Sequence, residues 1–141
     1  MRAEVNLSHG EKTVQDAAIA YVLAIKHGIN NDISNVEAYS IIKAWAFDNS
    51  KDNLATWFTL LESLPQETFL SAFAAGETTP KKHSGWARHA FLLCFHFLRC
   101  SPLPSYESIL ESTLLLGGDT DTNACIVGGM MGAWLGYKSL P

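Results

Sequence analysis

The chain has 141 residues, 48% of them apolar and 17% charged, with 14 acidic against 10 basic side chains and a formal charge of −4. This balance excludes an intrinsically disordered chain and a basic nucleic-acid arm. The single basic doublet, Lys81-Lys82, is too little to hold a phosphate backbone or an anionic membrane, so neither nucleic acid nor membrane is an expected partner.

A chain of this length is expected to form one domain with a core that needs no disulfides, yet it is short for a self-sufficient enzyme. Cys94, Cys100 and Cys125 form no CxxC pair and lie in or beside apolar stretches, as expected of small hydrophobes in a reducing compartment. The N-terminus lacks a secretory-type apolar stretch, and the longest apolar run, 124–137, falls short of the roughly 20 residues of a bilayer span. A cytoplasmic location is therefore expected.

In chain order, Ser8 and Glu11 have capping-box spacing and predict a helix to His27, with Gly28 as its stop and Asn30-Asn31 in the turn. A second box, Ser34 with Glu37, opens a helix through Tyr39, Ile41, Ile42 and Trp45 that fades near Asp48-Asn49. The third element, about Lys51 to Leu61, places Leu54, Trp57, Phe58 and Leu61 on one stripe. Pro65 starts a short helix through Phe69 and Phe73 that Gly76 stops.

Residues 76–84 read as a surface loop. The segment 85–99 is apolar almost all round and predicts a helix at the centre of the fold. Pro102 and Pro104 break it, and Ser105 caps a helix over Tyr106–Leu116. The last helix runs from Thr120 or Thr122 to Gly136, with Ala124, Gly128, Gly132 and Gly136 four apart as a smooth ridge for close helix packing. Period-two alternation and hairpin dipeptides are absent, so the fold is expected to be an all-α, multi-helix orthogonal bundle.

Chemistry concentrates in Gly117-Gly118-Asp119-Thr120-Asp121-Thr122-Asn123, between the run Leu114-Leu115-Leu116 and the last helix. Residues two apart on a regular helix point about 200° apart, so Asp119 and Asp121 converge only if the chain is still turning into the helix there. Thr122, three residues beyond Asp119, can return to the same side. Two carboxylates and a hydroxyl suit a hard cation such as magnesium, manganese or calcium. Gly117 and Gly118 would permit the tight turn and keep side chains away from a ligand. Ordinary N-capping explains the same residue types, and local chemistry leaves both readings open. The histidines have no compact ligand spacing, and His96, inside an apolar helix, reads as a core residue. Ser84-Gly85-Trp86 is no nucleophile elbow, because the strand that precedes one is absent.

Gly117-Gly118-Asp119-Thr120-Asp121-Thr122-Asn123-Ala124 with its Gly-rich helix resembles the C-terminal signature of the ADP-ribosylglycohydrolase family. The stretch 85–116 is similar to the helices leading into that signature, and Leu7-Ser8-His9 to the family's Ser/Thr-His segment. The resemblance implies an all-α fold with two magnesium or manganese ions and a cleft for ADP-ribose, which is hydrolysed from modified protein side chains. By position it assigns Asp119 and Asp121 as catalytic metal carboxylates, Thr122 as a hydroxyl ligand, and Gly117 and Gly118 as neighbours of ADP-ribose.

The family's Gly-Asp segment and Thr-Asp-Asp run have no counterpart here, and Glu62, Glu67 and Glu77 are scattered singly. The chain is therefore expected to be the second half of the family's fold, active only when a missing N-terminal half completes it, supplied by a separate chain or by a longer product of which this sequence is part. The alternative is a truncated, non-catalytic binding module that self-associates through uncovered apolar surface.

Overall fold

Helical periodicity and capping residues divide the chain into helices joined by turns and loops. In the computed structural model, which describes residues 2–50, 53–76, 79–83 and 85–141, they form an all-α orthogonal bundle. Its α-helices are α1 Arg2–Asn6, α2 Lys12–Asn30, α3 Asn35–Asn49, α4 Leu54–Glu62, α5 Gln66–Ala75, α6 Ala87–Leu98, α7 Tyr106–Leu115 and α8 Thr120–Leu135, followed by a 3₁₀ turn at Tyr137–Ser139. There is no strand among the described residues, and no helix among them is long and apolar enough to cross a membrane.

The centre of the bundle is α6, in which every residue from His89 to Leu98 is buried. It packs against α2, α3, α4 and α8, as expected of a helix that is apolar all round. The stripe of α4 meets it with aromatic edges: Phe58 lies 5.5 Å from Phe91 and 5.1 Å from Phe95 at steep interplanar angles. Complete burial of a ring such as Phe58 stabilises the fold by roughly 2–3 kcal/mol.

Polar groups tie the helix ends. The Arg99 guanidinium donates to the carbonyl of Leu61 in the last turn of α4 and to that of Leu64 just beyond it, so a cation meets the negative end of a helix. Asn35 Nδ2 donates to the carbonyls of Leu98 and Cys100 at 2.8 and 2.7 Å, which closes the end of α6. Lys12 Nζ lies 2.7 Å from the buried Asp16 carboxylate and donates to the Asn49 carbonyl, linking the start of α2 to the end of α3.

Ser34 and Ser105 cap α3 and α7 as the sequence predicts, each accepting a backbone N–H at 3.2 Å. Pro65 and Gly76 flank α5, and α4 carries its predicted stripe buried. The predicted start at Lys51 lies outside the described residues, as does part of the 76–84 loop, including Glu77 and Ser84.

Other expectations are corrected. Ser8 and Glu11 form no capping box: Ser8 Oγ donates to the Val5 carbonyl, and α2 begins after Glu11 without a side-chain cap. Residues 2–6 form an unanticipated short helix, which packs on α2. Gly28 does not stop α2. The helix continues to Asn30, and Asn31 takes the left-handed capping conformation with φ 50°. Gly28 is instead a close-approach residue, since a Cβ there would lie 3.1 Å from the Ala133 backbone of α8.

The glycine ridge of α8 is also redistributed. A Cβ on Gly128 would lie 2.9 Å from Tyr106 Oη of α7, and one on Gly129 would lie 2.9 Å from Tyr21 Oη of α2. Close packing therefore depends on this adjacent pair, facing two helices, whereas Gly132 meets neighbours only at ordinary van der Waals distance and Gly136 ends the helix.

Candidate functional site

The Gly-Gly-Asp-Thr-Asp-Thr segment forms the turn from α7 into α8, with Asp119 as the N-cap residue. The Asp119 carbonyl accepts the Asn123 N–H at 3.0 Å and starts the helical ladder. Its carboxylate accepts no capping hydrogen bond, so it remains available to a ligand, where simple N-capping would have consumed it.

Asp121, in the first turn, is fully exposed, and its carboxyl is held below the usual carboxylate range. The main cause is the Thr122 backbone N–H, followed by the Asp119 carboxyl within hydrogen-bonding reach and by its own N–H. The two side chains thus converge, as the junction geometry requires, and Asp121 is anionic at neutral pH. Thr122 is exposed on the next position.

Both glycines are left-handed, Gly117 with φ 73° and Gly118 with φ 75°, a conformation that costs an L-residue roughly 1–2 kcal/mol. What fills the space beside them is protein. A Cβ on Gly118 would collide with the Pro80 carbonyl, and one on Gly117 would come within 2.8 Å of Lys81 Cε. The predicted conformational role stands, while the space freed by the missing side chains receives the 79–83 segment.

Gly85 joins this turn to a cleft. A Cβ there would lie 3.9 Å from Asp119 Oδ2. Gly85 also lines a cleft of about 440 Å³ together with His9, Glu11, Asn53, Trp57 and Trp86, a size suited to a small-molecule site. Trp86 is 40% exposed, with the Arg88 guanidinium 4.9 Å from its ring centre and the His83 and His89 rings against it edge-on.

Glu11, which the sequence reading used as a helix cap, makes no cap bond and lines this cleft with His9. Its local spacing signalled a helix start, and only its tertiary position signals a site. His96 is a core residue as expected, stacked on Phe69 at 4.6 Å. A gathering of three or more His, Cys, Asp or Glu side chains suited to a metal does not occur among the described residues, so the carboxylate pair stands without a third acidic ligand.

The ADP-ribosylglycohydrolase family model matches residues 1–141. The chain belongs to the ADP-ribosylglycohydrolase family. Because the match runs along all 141 residues, the expected restriction of the resemblance to a C-terminal half is corrected. The description of the bundle as the second half of the fold, and the activity made conditional on a missing N-terminal half, are corrected with it. Searches of curated proteins and of solved structures found no match.

Proposed function

We propose that this ADP-ribosylglycohydrolase-family chain binds ADP-ribose beside the Gly117–Thr122 turn and releases it from modified protein side chains by hydrolysis. The reading is carried by one observation, two converging carboxylates at the start of α8, of which Asp119 is excused from capping. Family membership supplies the ligand class.

A magnesium or manganese ion fits the donor set at this turn. Asp119, Asp121 and Thr122 offer hard oxygens, and the lowered Asp121 pKa keeps that ligand ionised. Three protein oxygens are about half of an octahedral shell, and water and ligand would complete it. When bound, the cation supplies Lewis-acid polarisation of ligand oxygens. Glu11 and His9, on the wall of the adjoining cleft, are the groups proposed to exchange protons with an attacking water and the departing side chain.

The test is calorimetric titration of the chain with ADP-ribose in magnesium or manganese, paired with assays of ADP-ribose release from peptides modified on arginine or serine. Saturable binding that weakens more than about tenfold in Asp119→Asn is expected, the scale of a lost charged ligand. Absence of saturable binding with either metal would overturn the reading, and binding without turnover on either peptide would remove its hydrolytic part.

A further inference from the structure

The 79–83 segment carries a cation that the signature motif does not contain. Thr79 and Pro80 are buried, and the N–H groups of Lys82 and His83 both donate to the Thr79 carbonyl at 3.0 and 3.2 Å. The backbone of Lys81 is thereby fixed, although its side chain is exposed. The Lys81 stem lies across the signature turn, with Cε 2.8 Å and Cγ 3.1 Å from where a Gly117 Cβ would stand. The ammonium, one bond beyond Cε, is consequently held over the turn that leads into Asp119.

This charge is uncommitted: Lys81 makes no hydrogen bond or ion pair among the described residues. Its neighbours differ, since Lys82 is engaged elsewhere and Arg88 lies over the Trp86 ring. A long side chain packed at its stem and unpaired at its head presents a donor to something outside the chain. Two carboxylates at the turn repel an anionic ligand, and a divalent cation bound to them cancels their formal charge without reversing it, in a chain whose formal charge is already −4, so a further cation beside the turn favours an anion there.

We infer that Lys81 is a ligand-binding residue that contacts the diphosphate of an ADP-ribosyl ligand and offsets its repulsion by Asp119 and Asp121. This rests on the reading that the turn takes ADP-ribose. The diphosphate is the anionic part of that ligand, and an ammonium serves it as a point charge with three donors.

The experiment measures ADP-ribose affinity in magnesium for the parent chain, Lys81→Met, Lys81→Arg and the control Lys26→Met, with inorganic pyrophosphate as a second probe. Met preserves an apolar stem against Gly117, so the fold is retained, and unchanged thermal unfolding verifies this. Lys81→Met is expected to bind ADP-ribose and pyrophosphate about tenfold more weakly at low salt, with the deficit shrinking at about 0.5 M salt as the charge is screened. Lys81→Arg and Lys26→Met are expected to stay within about twofold of the parent. A Lys81→Met chain that binds both probes as the parent does overturns the role of Lys81 while leaving the ADP-ribose reading in place. A parent chain that does not bind ADP-ribose overturns both.

Discussion

Replacing His96 with phenylalanine removes a titrating group from the centre of the bundle while keeping an aromatic ring where the imidazole stacks on Phe69. Burial first, and the nearby Arg99 charge second, lower the His96 pKa from 6.5 to about 4. The folded chain therefore keeps this imidazole neutral at pH values where the unfolded chain protonates it. The stabilising contribution is fully present above about pH 6.5 and is lost as pH falls through the window down to about 4, where the folded form also takes up the proton. At ~1.4 kcal/mol per pKa unit, the loss across that window is about 3 kcal/mol.

The assay is urea unfolding, followed by tryptophan fluorescence and circular dichroism, of parent and His96→Phe at intervals from pH 7 to pH 4. Carboxylates titrate in both chains, so the difference between them isolates His96. That difference is expected to move against the parent by about 3 kcal/mol as pH falls. At pH 7 the variant is expected to be at least as stable, because His96 Nδ1 is buried with no hydrogen-bond partner to lose. Parallel stability curves, within the ~0.5 kcal/mol error of extrapolation, would refute the reasoning.

Two further predictions test the turn and the helix contact. Gly118→Ala must adopt a left-handed φ and displace the Pro80 carbonyl, so unfolding experiments should show a loss of about 2–4 kcal/mol, well above the cost of an ordinary exposed substitution; a loss under about 0.5 kcal/mol would contradict the packing of the 79–83 segment on this turn. Tyr21 Oη donates to the Ile126 carbonyl at 2.9 Å and occupies the space beside Gly129. Tyr21→Phe should cost about 1 kcal/mol, whereas Gly129→Ala should gain its ~1 kcal/mol of helix propensity only in the Tyr21→Phe background; strictly additive effects in the double-mutant cycle would dismiss this steric account.

Much of the local architecture was legible because its causes are local. Ser34 and Ser105 cap helices with their own hydroxyls, and the α4 stripe Leu54, Trp57, Phe58 and Leu61 has the 3.6-residue period of one buried face. Uniform apolarity placed α6 at the centre. At the site, the requirement that Asp119 and Asp121 straddle a loop–helix junction followed from helical geometry alone. The capping signals at Ser8 and Gly28 failed because each had a stronger competitor. The residues before Ser8 form their own helix, and Gly28 was needed against Ala133.

The sequence by itself determined the all-α class, most helix boundaries, the central helix and the acidic turn, since these depend on contacts within a few residues of the chain. Only the tertiary structure decided that Glu11 and His9 share a cleft with Trp86, that Gly128 and Gly129 are the close-approach pair, and that Pro80 and Lys81 fill the space beside Gly117 and Gly118. These pairings join residues about 20 to more than 100 positions apart, and helix packing selects them through the volume and polarity of both surfaces at once. Spacing along one strand of sequence carries no record of that choice.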